Sequence, residues 1–124
     1  MKNEIKDNEY IRTDTGKIDK VINTNYYMPQ YIECEKDLIF KNNIVKHSPN
    51  LIDLIECGDY VNGKEVKHIA DFEGIEQPIR KVIFVDETHL IPGETAENED
   101  IKTIVTKEQI EFISYKIKGV NDEN

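Results

Sequence analysis

The sequence predicts a mainly β fold of the small α+β kind: short antiparallel strands joined by turns, with two short helices at about 49–56 and 107–113. Three observations carry that expectation. Ile fills 19 positions and Ala only two, Ala70 and Ala96. A branched Cβ packs well on a pleated surface, whereas Ala is the strongest helix former. Short apolar runs alternate with clusters of turn residues, as in turn-linked strands. Finally, two segments echo each other: E-Y-I-R-T-D-T-G-K-I-D-K-V-I over 9–22 and D-Y-V-N-G-K-E-V over 59–66. Each has an acidic residue and a tyrosine, a short strand, a turn ending in Gly, and a second strand led by Lys.

Along the chain, residues 1–8 are polar and expected to fray. Tyr10 to Thr13 and Lys17 to Ile22 flank Asp14-Thr15-Gly16, where Gly16 can take the positive φ of a three-residue hairpin loop. Tyr26 to Ile32 is aromatic, and Pro29 disfavours a central strand there because it cannot donate to a ladder. Asp37 to Phe40 is a further short strand, and Ile44-Val45 an apolar step. Ser48 is placed to cap a helix whose first position is Pro49. Leu51, Ile52, Leu54 and Ile55 give that helix one apolar side, and Gly58 ends it.

Asn62-Gly63 is the strongest turn signal, since a type I′ turn needs positive φ at both central positions. It puts Val61 and Val66 on one face. Strands are expected at Ile79 to Val85, around Leu90-Ile91 and at Ile101 to Val105, with a turn at Pro92-Gly93. Glu94 to Asp100 reads as an acidic loop. Thr106 to Gln109 matches a capping box that opens the second helix. A last strand, Ser114 to Ile117, precedes a polar tail over 119–124 that is expected to fray. The two hairpins resemble those of SH3-like barrels, so the expected architecture is a compact SH3-like or partly open β-barrel in a single domain, 1–124.

The formal net charge is -9, and six acidic residues between Asp86 and Asp100 have no Lys or Arg among them. An acidic field repels phosphate backbones, which argues against general nucleic-acid binding. No stretch approaches the roughly 20 apolar residues of a membrane span. The charged start, Met1 to Asp7, lacks the apolar run of a secretory signal. Cys34 and Cys57 belong to no Cys-x-x-Cys or Cys/His cluster and read as two buried free thiols in a reducing cytoplasm. A cytoplasmic location is therefore expected, with neither membrane partner nor cofactor; a homo-oligomer is allowed.

Catalytic and metal chemistry find little in this sequence. His47, His68 and His89 are spaced by 21 residues in different expected elements, unlike the close pair of a metal site. Ser48 and Ser114 are the only serines, and Ser48 is better used as a cap. The acidic run lacks the alternating oxygens of a calcium loop. No catalytic residue, metal ligand or cofactor is assigned. What remains is anion binding. Lys46 and His47 precede Ser48 at an expected helix start, where free N–H groups attract anions. Arg12 and Arg80 are the only arginines and can hold phosphate bidentately. Tyr27 or Phe72 can stack on a base. Lys46, His47, Ser48, Arg80, Arg12, Tyr27 and Phe72 are thus the candidate ligand-binding residues.

I-V-K-H-S-P-N-L-I-D-L-I-E-C-G-D-Y-V-N-G-K-E-V over 44–66 and I-K-T-I-V-T-K-E-Q-I-E-F-I-S-Y-K-I over 101–117 resemble small uncharacterised proteins encoded by phages and prophages of clostridia and related Firmicutes. The opening E-Y-I-R-T-D-T-G-K-I adds to the likeness. The abundance of Ile, Lys and Asn, with 14 Lys against two Arg, fits an AT-rich host. The resemblance implies a non-enzymatic protein of the host bacterial cytoplasm that acts against host defence. Its expected partner is a small nucleotide-derived signal, of cyclic-nucleotide or cyclic ADP-ribose type, which it would sequester as a sponge. The alternative partner is a host defence protein, bound through the acidic surface.

Overall fold

The computed structural model describes residues 4–85 and 94–111. The strand expected near Leu90-Ile91, the turn at Pro92-Gly93, the strand over 114–117, the tail over 119–124 and His89 lie outside the described residues. The described chain is mainly β, with three antiparallel sheets and little helix. It divides into two units, Met1–Leu54 and Ile55–Asn124. No helix among the described residues is long and apolar enough to cross a membrane.

The first unit is a five-stranded sheet of β1 (Tyr10–Thr13), β2 (Ile18–Asn23), β3 (Tyr31–Cys34), β4 (Leu38–Phe40) and β5 (Ile44–Ser48), in the order β4-β3-β2-β1-β5. The β1–β2 loop is the expected one: Gly16 has φ +88°, Thr13 N–H donates to the Lys17 carbonyl at 2.9 Å, and Thr13 Oγ1 accepts the Lys17 N–H at 3.0 Å. Ile11, Val21, Ile32, Cys34 and Ile39 form the core, with Ile5 and Ile44 packed against it. Residues 4–8, expected to fray, are tied in by Ile5 and by Asn8 N–H on the Val21 carbonyl. Buried Asp19 accepts the backbone N–H groups of Lys36 and Asp37 and so closes the β3–β4 turn.

Two stretches differ from expectation. Lys46, His47 and Ser48 belong to β5, which pairs antiparallel with β1. Their own polarity gives no strand signal; the partner strand holds them. The helix expected over 49–56 is one 3₁₀ turn, Leu51–Leu54. Ser48 still serves its start: Oγ accepts Asn50 N–H at 3.1 Å and donates to Asp53 Oδ2 at 2.6 Å. Four residues are too few for a stable α-helix of their own.

The second unit contains two three-stranded sheets. One comprises β6 (Tyr60–Val61), β7 (Lys64–Glu65) and β11 (Ile104–Val105), in the order β11-β6-β7. The other comprises β8 (His68–Phe72), β9 (Ile79–Ile83) and β10 (Thr95–Ala96), in the order β10-β9-β8. Asn62 (φ +54°) and Gly63 (φ +84°) form the expected two-residue turn between β6 and β7, and Val61 and Val66 are both buried. The Asn62 side chain also donates to the Asp100 carbonyl and accepts the N–H groups of Lys102 and Thr103. Thr106 N–H donates to Gln109 Oε1 at 3.1 Å, the Gln half of the expected capping box, and helix runs from 107 to 111. The acidic run 94–100 is structured: Thr95–Ala96 pairs with β9, and Asn98–Asp100 is a 3₁₀ turn capped by Glu97 and Asp100 on each other's backbone.

The echo between 9–22 and 59–66 extends to individual hydrogen bonds. Asn8 (φ +73°) and Gly58 (φ +96°) each precede the acidic residue in the left-handed region. Glu9 N–H donates to the Lys6 carbonyl while Glu9 Oε1 accepts Lys6 N–H; Asp59 and Glu56 repeat the exchange. The Glu9 and Asp59 carbonyls then accept Val21 and Val66 N–H, both at 2.8 Å. Each carboxylate also reaches a distant segment of its own unit. Glu9 Oε1 lies 2.7 Å from His47 Nδ1, and Asp59 Oδ1 accepts Lys107 N–H at 2.8 Å.

Candidate functional site: the β8–β9 hairpin

The longest ladder of the second unit runs Phe72↔Ile79, Asp71↔Arg80, Ala70↔Lys81, Ile69↔Val82 and His68↔Ile83. Paired residues share a face, so His68, Ala70 and Phe72 lie beside Ile83, Lys81 and Ile79. The hairpin is anchored at its base, where Val82 is fully buried and Ile83 is 8 % exposed. At its far end the apolar residues emerge. Phe72 and Ile79 are each 37 % exposed, and Ile75 in the connecting loop is exposed entirely. Three exposed apolar side chains thus gather at one end of the hairpin, the feature that marks contact surfaces when it forms a patch.

Polar groups fix this end. Arg80 Nε and Nη2 donate to the two carboxylate oxygens of Asp71 at 2.9 and 3.3 Å, across the ladder. That pairing holds the Asp71 carboxyl below its usual range. Lys81 Nζ sits 5.2 Å from the Phe72 ring centre and 3.6 Å from Glu97 Oε2. The loop is closed at Gly74, where a Cβ would lie 2.2 Å from the Gln77 carbonyl oxygen and 3.0 Å from Ile79 Cγ1. Glu73 and Glu76 flank Ile75, both exposed.

The residues singled out in the sequence fall in both units. Lys46 and Ser48 lie on the β5 face that carries Arg12 and Tyr10, while His47 lies on the opposite face beside Ile11. Arg12 is fully buried, and its Nη1 donates to the Leu54 carbonyl at 2.9 Å, so it clamps the 3₁₀ turn to the sheet. His47 is engaged by Glu9, and Ser48 by Asp53 and Asn50. Tyr27 is 80 % exposed, its ring centre 4.8 Å from that of Tyr26. Arg80 and Phe72 belong to the hairpin of the second unit. A cavity of about 350 Å³ in the first unit is lined by Glu4, Ile5, Thr24, Ile32 and Lys41. None of the seven residues is among these.

Sequence reasoning singled out Phe72 and Arg80 as ligand-binding residues and did not single out Ile75, Ile79 or the strand β8. The available signal was an apolar residue on each side of a Gly-containing turn, in D-F-E-G-I-E-Q-P-I over 71–79. Among the described residues, no three His, Cys, Asp or Glu side chains gather as a metal group would require. The chain matches no known family model, no curated protein and no solved structure.

Proposed function

We propose that this chain is a non-enzymatic binding protein that works by docking on another protein. The observation that supports the reading is the apolar tip of the β8–β9 hairpin, where Phe72, Ile75 and Ile79 stand exposed on an anchored ladder. Burying Ile75 alone on a partner would contribute roughly 1.5–3 kcal/mol. The two arginines already have partners: Arg12 is buried on the Leu54 carbonyl, and Arg80 gives its Nε–Nη2 edge to Asp71. The phage origin suggested by resemblance makes a host defence protein the natural target.

Sequestration of a nucleotide-derived signal is the second reading, favoured by the exposed Tyr26–Tyr27 ring pair on which a base can stack. One paired experiment separates the two. The tagged chain is purified from a clostridial host, and the protein alone is titrated calorimetrically with cyclic nucleotides and cyclic ADP-ribose isomers. The docking reading expects a stoichiometric host protein and no heat. Heat with a nucleotide and no co-purifying protein overturns it in favour of the sponge.

A further inference from the structure

We infer that the hairpin tip fits an apolar recess rimmed by lysine or arginine on its partner; this rests on the docking reading above. The apolar part of the argument is Phe72, Ile75 and Ile79. The charge part comes from their neighbours. Asp71 is matched by Arg80, and Lys81 by Glu97. Glu73 and Glu76, two residues before and one after the most exposed apolar side chain, form no ion pair among the described residues and are the charge the tip presents. Burying Ile75 in a partner brings both carboxylates to the rim of the contact. A neutral or acidic rim would desolvate or repel them, whereas a basic rim pairs them. Gly74 lets the loop pass close to the Gln77 carbonyl and Ile79, which brings Glu73, Ile75 and Glu76 to the end of the hairpin.

The test uses the full chain carrying a photo-crosslinking benzoylphenylalanine at position 75 or, separately, at position 27, in the clostridial host. Crosslinked peptides are sequenced by mass spectrometry. The expected result is a crosslink from position 75 to apolar residues flanked by at least two Lys or Arg. Its yield should fall about tenfold or more when Glu73→Lys and Glu76→Lys are added, because like charges then meet at the rim. Both glutamates are exposed, so the reversal leaves folding intact, which a thermal melt verifies. A crosslink from position 75 to a surface without basic residues, or to a second copy of this chain, overturns the stated partner chemistry and leaves protein docking standing. A protein crosslink from position 27 alone overturns the hairpin as the surface. No protein crosslink from either position overturns the docking reading itself.

Discussion

Cys34 and Cys57 are the same residue in opposite surroundings. Cys34 lies in the core of the first unit at 5 % exposure, and burial, aided by the nearby Asp19 charge, pushes its thiol up to about 11. Cys57, expected to be buried, is exposed. Since the thiolate is the reactive form, native protein at pH 8 should give one fast reaction with a disulfide reagent, from Cys57, and a second only on unfolding. Equal rates for both in the native state would refute this. The pH dependence has a definite sign. An unfolded thiol ionises near 8.5. From there to about 11 the unfolded chain releases a proton that folded Cys34 retains. The Cys34 contribution to stability is therefore complete below about 8.5 and is lost as pH rises to about 11. Denaturation midpoints of wild type and Cys34→Val, compared across that window, should converge toward high pH. Asp59 shows burial handled differently. It has no exposed surface, yet its two oxygens accept the N–H groups of Glu56 and Lys107, so removing it would orphan two donors.

At the scale of elements, the β8–β9 hairpin depends on one absent side chain. A Cβ at Gly74 would meet a backbone oxygen at 2.2 Å, which no rotamer change relieves. Gly74→Ala should open the loop over 73–78 and leave the buried base at Val82 and Ile83 unchanged. Hydrogen exchange checks this: protection should fall several-fold for amides near Phe72 and Ile79 and hold at Val82. Unaltered exchange at Phe72 would show that Gly74 does not set the tip. This element was only half legible in the sequence. β9 could be read from I-R-K-V-I, but H-I-A-D-F mixes exposure along its length and becomes a strand through its pairing with β9. β5 was hidden in the same way, because K-H-S is held by β1. The chemistry of two turns, in contrast, was legible: Gly16 and Asn62-Gly63 adopt the φ values that their side chains, or lack of one, permit. The candidate site was the least legible part. A side chain's availability depends on its partners in space, and nothing in the sequence says that Arg12 will lie under a 3₁₀ turn or that His47 will face Glu9.

For the whole molecule, the dominant quantity is the net charge of -9. Field and local contacts point the same way. Arg12 is inside the first unit on the Leu54 carbonyl, and Arg80 gives its Nε–Nη2 edge to the Asp71 carboxylate, which cancels its charge locally. Most of the basic side chains are lysines, several of them in exposed or half-exposed ion pairs with Asp or Glu. Such pairs contribute little to stability, but they cancel the local potential a polyanion would seek. A duplex gains affinity by exchanging condensed counterions for protein cations, and this chain offers it few. The expectation is that the protein passes unretained through immobilised duplex DNA at roughly 0.15 M salt, where charges are screened beyond about 8 Å. It should also pass at about 0.01 M, where the long-range acidic field reaches further and repels more strongly. Retention that appears only at low salt would reveal a basic patch strong enough to outweigh the molecule's own field.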